Sequence, residues 1–108
     1  MRITVTARHC DIADDLRARA EALLGRIGRV ASRPHDGQVV FGADHGTPTV
    51  EVRLHTARGR VHVGIASAHD HRTALDRAAA KVRRQLDKAD PRRRRATAAR
   101  RMLQRESR

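Results

Sequence analysis

The sequence predicts an α+β domain in the order β-α-β-β-β-α, a four-stranded sheet with two helices packed on one face. Three observations predict it. Four segments alternate apolar and polar residues with a period of two, and two longer segments repeat apolar residues at spacings of three and four. The 108 residues are 39% hydrophobic, enough for the core of one domain. A sheet with one apolar face and two amphipathic helices bury each other best when both helices lie on that face.

Each element has its own signal. Residues 2–8 set Ile3, Val5 and Ala7 against Arg2, Thr4, Thr6 and Arg8, the period of a strand. Asp11 stands where a helix N-cap would, followed by Asp14 and Asp15, which suit the positive end of a helix dipole. Ile12, Leu16, Ala20, Leu23, Ile27 and Val30 then form one stripe, and Pro34 forbids continuation. Residues 38–43 make a second strand with Val39 and Phe41 inward, and residues 44–48 a loop. Residues 49–57 and 60–67 alternate around Val50, Val52 and Leu54, then Val61, Val63 and Ile65. Arg58-Gly59 between them reads as a two-residue hairpin loop. That register pairs Leu54 with Val63 and Val52 with Ile65, and turns all these apolar residues to one face. Asp70 is the N-cap of a second helix whose stripe is Leu75, Ala78, Ala79, Val82, Leu86 and Ala89, ending before Pro91.

Charge divides the chain. Lys plus Arg number 24 and Asp plus Glu 12, a formal net charge of +12. Residues 1–90 hold 16 basic and 11 acidic side chains, and residues 91–108 hold 8 and 1. The expected organisation is therefore a folded domain over 1–90 and a basic, flexible tail over 91–108, opened by Arg92, Arg93, Arg94 and Arg95. Of the 24 cations, 22 are Arg, which grips phosphate bidentately.

Composition also excludes. One cysteine, Cys10, allows no internal disulfide and suits a reducing, cytoplasmic setting. No apolar run is long enough to span a bilayer, so no membrane partner is expected, and no secretory signal follows Met1. With no Trp or Tyr and one Phe, the chain lacks the aromatic platforms on which many RNA-binding modules stack bases. No paired carboxylates or glycine-rich phosphate loop point to an enzyme, a cofactor or a small-molecule substrate. The histidines do not form metal-ligand pairs, although His55 and His62 should face each other across the hairpin on the solvent side.

The functional signal lies on the second helix. Arg77, Lys81, Arg84 and Lys88 follow at spacings of four, three and four. At 100° per residue they fall within about 60° of each other, opposite the apolar stripe. A merely solvated helix face more often mixes signs. On the first helix Arg19 and Arg26 are one heptad apart, with Arg29 nearby, and the two rows could border one basic groove. Such a track suits a phosphate backbone and positions the protein on it without reading sequence.

Short motifs now acquire a pattern. The opening strand is followed by Asp11-Ile12, then Leu16-Arg17 and Arg26-Ile27. On the second helix come Asp70, Thr73-Ala74-Leu75-Asp76, Lys81-Val82 and Arg84-Gln85-Leu86-Asp87-Lys88. In order and spacing residues 1–90 resemble the short ribosome hibernation factors, of the hibernation promoting factor and ribosome-associated inhibitor type. His71 and Arg72 replace that family's usual hydrophobic residue and Tyr, and Val30 its usual aromatic. The resemblance implies binding to rRNA of the small ribosomal subunit, in the mRNA and tRNA channel. It implies that translation is blocked by occupancy, under stress or in stationary phase. Arg26, Arg29, Arg77, Lys81, Arg84 and Lys88 are the expected RNA contacts, and Arg92–Arg95 could follow the mRNA path. No protein partner beyond ribosomal proteins is expected, since no exposed apolar patch is visible in the sequence. The alternative is a general, charge-driven RNA or DNA binder without ribosome specificity.

Overall fold

The structure, a computed structural model, describes residues 1–31 and 33–89. Its elements are β1 (Arg2–Ala7), α1 (Asp14–Val30), β2 (Asp36–Asp44), β3 (Thr47–His55), a 3-10 turn (Ala57–Gly59), β4 (Val61–Ser67) and α2 (His71–Ala89). The basic segment 91–108, with Arg92–Arg95, lies outside the described residues.

The expected β-α-β-β-β-α order and four-stranded sheet are present. The strands lie in the order β1-β2-β3-β4. β1 and β2 are parallel, joined through α1, while β3 is antiparallel to both β2 and β4. One core unites the sheet with both helices. Ala20, Leu24 and Ile27 of α1 meet Val39 and Phe41 of β2 and Val50, Val52 and Leu54 of β3. Ala74, Leu75, Ala78, Ala79, Val82 and Leu86 of α2 complete it. Leu24 is buried, whereas Val30 and Leu23 are only half-buried, so the inward stripe of α1 turns slightly from the expected one.

Three local expectations are corrected. Asp11 does not cap α1. Ala13 is extended at the cap position, and the Leu16 and Arg17 N–H groups donate to its carbonyl at 3.1 Å. Residues 44–48 are not an open loop but a tight hairpin closed by the Asp44–Thr47 pair. His45 (φ 50°) and Gly46 (φ 82°) are its two central residues, both in the left-handed region that such a hairpin turn demands.

The third correction concerns register. The β3–β4 connection runs from Thr56 to Arg60 around the 3-10 turn, and the Thr56 N–H donates to the Arg60 carbonyl at 2.9 Å. Leu54 therefore pairs with His62 and Val52 with Gly64, one residue away from the expected register. Side chains alternate with period two, so this single step turns Val61, Val63 and Ile65 to the outer face. His62, Gly64 and Ala66 take the core face instead. The cause is α2. A Cβ on Gly64 would collide with the Ala78 carbonyl oxygen and stand 3.0 Å from Lys81 Cβ. Only a strand with small inward residues lets the helix backbone come this close. His55 and His62 consequently lie on opposite faces, and their expected juxtaposition does not occur.

Candidate nucleic-acid interface

The helix that carries the cationic row is fixed at its start by a local cap. Asp70 Oδ1 accepts from the Thr73 N–H at 2.7 Å, and its Oδ2 accepts from Thr73 Oγ1 at 3.0 Å. These hydrogen bonds hold the Asp70 carboxyl below its usual pKa of 3.8, the backbone one contributing most. Beside the cap, His71 Nε2–H donates to the Gly42 carbonyl at 2.7 Å, and its ring meets Phe41 edge-on at 5.7 Å. The histidine that departs from the usual motif thus ties the first turn of α2 to β2.

Along α2 the buried face is continuous and the cations occupy the opposite side. Arg77, Lys81, Arg84 and Lys88 are all exposed. Arg77, Lys81 and Arg84 line one shallow depression together with Asp76, Ala80 and Thr73. Arg77 Nη1 donates to the Ser67 carbonyl at 3.2 Å, and Lys81 Nζ donates to the Ile65 carbonyl. Arg84 Nε reaches back to the Ala80 carbonyl at 3.5 Å. None of the four is in a salt bridge among the described residues. Each tethered cation keeps further N–H donors for an external acceptor, since Arg has five and Lys three.

Gln85 belongs to the same side of the helix. Its Nε2 donates to the Val63 carbonyl at 2.5 Å, and its Oε1 accepts from the Val63 N–H at 3.0 Å. Together with Lys81 and Arg77 it satisfies the outward N–H of Val63 and the outward carbonyls of Val63, Ile65 and Ser67 on β4, an edge strand. Gln85 lies in the Arg84-Gln85-Leu86-Asp87-Lys88 motif, and the motif alone does not disclose this role. Its spacing of four from Lys81 and eight from Arg77, one strip of the helix, was the available signal. At the other edge Arg17 Nη1 donates to the Val5 carbonyl of β1 at 2.8 Å.

The two helices do not frame a single basic groove. Arg19, expected in the α1 row, binds Asp76 of α2 with Nη2 at 3.0 Å from both carboxylate oxygens and Nε at 3.2 Å from Oδ1. That ion pair spans the space between the helices, while Arg77 and Lys81 lean the other way, over β4. Arg26 and Arg29 are exposed near the C-terminal end of α1 and contribute a separate positive surface. The row on α2 is therefore a ridge beside the β4 edge.

Among the described residues no three His, Cys, Asp or Glu side chains gather to hold a metal ion. His62 is partly desolvated on the core face, and this, with the nearby Arg60 guanidinium, lowers its pKa from 6.5. No helix among the described residues is long and apolar enough to cross a membrane.

Fold and ridge together define a small α+β domain that offers a row of cations to its surroundings. Residues 3–94 match the family described as sigma 54 modulation protein / S30EA ribosomal protein, and the chain belongs to that family, which is not one of enzymes. Solved structures with the same fold include a ribosomal subunit interface protein from Coxiella burnetii. It is 22% identical, with a TM-score of 0.71, over 82% of this chain and 97% of that one. The N-terminal domain of Thermus thermophilus Protein Y is 23% identical, also at a TM-score of 0.71, over 83% of this chain and all of that one. No curated protein matches the sequence.

Proposed function

We propose that this protein is a ribosome hibernation factor. It binds rRNA of the small subunit in the mRNA and tRNA channel and blocks translation by occupancy, in the cytoplasm, under stress or in stationary phase. The observation that carries the reading is the α2 ridge, four exposed cations without a carboxylate partner among the described residues. Family membership adds the S30EA ribosomal protein description, and one fold relative is described as a subunit interface protein. Arg77, Lys81, Arg84 and Lys88 contact phosphates, Arg26 and Arg29 supply a second contact, and Arg92–Arg95 extend the track.

Co-sedimentation with small ribosomal subunits tests this, together with inhibition of a cell-free translation extract. If the four ridge cations each neutralise one phosphate, affinity should fall about 50-fold for a single-stranded to about 150-fold for a duplex backbone between 50 and 200 mM salt. Lys81→Glu, Arg84→Glu and Lys88→Glu combined should abolish both activities and leave the fold intact. Arg84→Glu alone should cost far more than Arg2→Glu, on the far edge of the sheet, at equal change of net charge. Equal losses, or complete displacement by excess bulk RNA, would establish the general charge-driven binder instead.

A further inference from the structure

The register of β4 leaves an apolar strip in water. Val61 is 46% and Ile65 57% exposed, with half-buried Val63 between them on the outer face. Across β3 they pair with His55, Arg53 and Glu51. Thr4, Thr6, Gln38, Thr49 and a single apolar residue, half-buried Val40, populate the same face elsewhere, so a run of three β-branched apolar residues is peculiar to β4. It extends over about 13 Å. The sequence alone had suggested no such patch.

The surroundings restrict what can cover it. Edgewise addition of a further strand to β4 is obstructed, because Gln85 holds both the N–H and the carbonyl of Val63 while Lys81 and Arg77 cross the edge to the Ile65 and Ser67 carbonyls. An occupant must therefore lie over the face. Arg53 stands in the middle of the border and Arg60 at its start, while Lys81 and Arg77 reach the strip across the edge. The one acid beside it, Glu51, is held by Arg53 at 3.2 Å. A second copy of this chain brings another +12, and the basic segment 91–108 brings +7, so both are repelled. The complementary occupant is a polyanion that also carries flat apolar surface. A single-stranded nucleic acid does so, whereas a duplex hides its base faces in the stack.

We propose that Val61, Val63 and Ile65 seat unpaired bases of single-stranded RNA whose phosphates lie on Lys81 and Arg77. This deepens the ridge reading and rests on it. The strip grips faces of bases and the ridge grips charge, so the two contributions separate by their dependence on salt.

The experiment uses the full chain with two fluorescent probes, an oligouridylate of about twelve nucleotides and an RNA duplex of equal length. Val61→Thr combined with Ile65→Thr keeps β-branched residues at exposed positions, so the melting temperature serves as a control for the fold. The expected result is about a fivefold loss of single-strand affinity, an unchanged salt slope and unchanged duplex affinity. Ile65→Phe, which adds an aromatic platform, should tighten the single strand alone. Lys81→Ala should weaken both probes and flatten the salt slope; if it alters neither, the ridge reading fails on its own account. Unchanged single-strand affinity in the threonine variant overturns the proposal, as does an equal loss on both probes. A loss confined to intact small subunits, with single strands bound normally, also overturns it and assigns the strip to a protein surface.

Discussion

Gly64→Ala should be among the most damaging single-methyl changes in this protein. The added Cβ would run into the Ala78 carbonyl oxygen, with Ala78 C at 3.2 Å and Lys81 Cβ at 3.0 Å. These are helix backbone and the root of a side chain, so no rotamer change relieves the overlap. α2 must lift from β4 by about 1 Å, and a gap of that size forfeits about a quarter to a half of the attraction across it. The helix face affected includes Ala74, Ala78 and Val82, all fully buried. Overpacking of this kind costs about 1–3 kcal/mol, and the rigid obstacle places Gly64→Ala at about 3 kcal/mol. That is a large part of the total stability of a small domain, and should lower Tm by about 12–24 °C. Gly25→Ala is the internal control. Nothing lies within 4 Å of its new methyl, and removing a glycine from the interior of α1 should stabilise by about 0.5–1 kcal/mol. Urea denaturation followed by circular dichroism measures both. Hydrogen exchange at the Val63 N–H, which Gln85 protects, should accelerate in the Gly64 variant alone. A Gly64→Ala protein as stable as the parent would refute the close approach and the β4 register built on it.

Two further predictions concern pH. The hydrogen bonds from Thr73 depress the Asp70 pKa, so the contribution of its carboxylate is present above the ordinary value of 3.8 and is lost as pH falls through the lower folded value. Asp70→Asn keeps a good N-cap and should remove that share of the acid-induced loss, read as a shallower fall in Tm on the acid side. Desolvation and Arg60 depress the His62 pKa, so the unfolded chain takes up a proton more readily than the folded one. Stability should therefore decline as pH falls from above 6.5 through the lower folded value. His62→Gln should flatten this limb in a series of melting curves, and an unchanged slope would count against partial burial of that ring.

Most of the architecture was legible because apolar periodicity is a physical requirement of each element. The stripe of α2 is buried from Leu75 to Leu86 with Ala74 added, while Ala89, expected to end it, is exposed in the last turn, beyond the sheet's cover; Val39, Phe41, Val50, Val52 and Leu54 point inward. Asp70 caps its helix because Thr73 is placed to donate to its carboxylate from both backbone N–H and hydroxyl. The error at β4 has an instructive origin. Val61, Val63 and Ile65 look like an inward set, and hydrophobicity alone favours them. The competing pattern was Gly64, Ala66 and Ala68, small residues in the opposite phase, matched by Ala74, Ala78 and Ala79 on α2. Close approach of two backbones outweighed burial of larger side chains, a trade visible only when strand and helix are read as a pair. Two X-Gly turns competed in the same way. His45-Gly46 closes the tight hairpin, whereas Arg58-Gly59 sits in a longer connection. The ridge was legible as a row of charges, but not the lean of that row toward β4. Nor could Arg19 be known to spend its charge on Asp76, because helix-to-helix pairing is a property of the packed molecule.

The sealed margin of β4 ties colloidal behaviour to recognition. Arg77 and Lys81 would greet a polyanion and, at the same time, stop a neighbouring molecule from adding its own strand. Erasing their charge would thus open a seam for self-association while weakening the grip on RNA. Drift at these positions meets two penalties at once, and a variant lost to clumping could pass in an assay for one lost to poor binding.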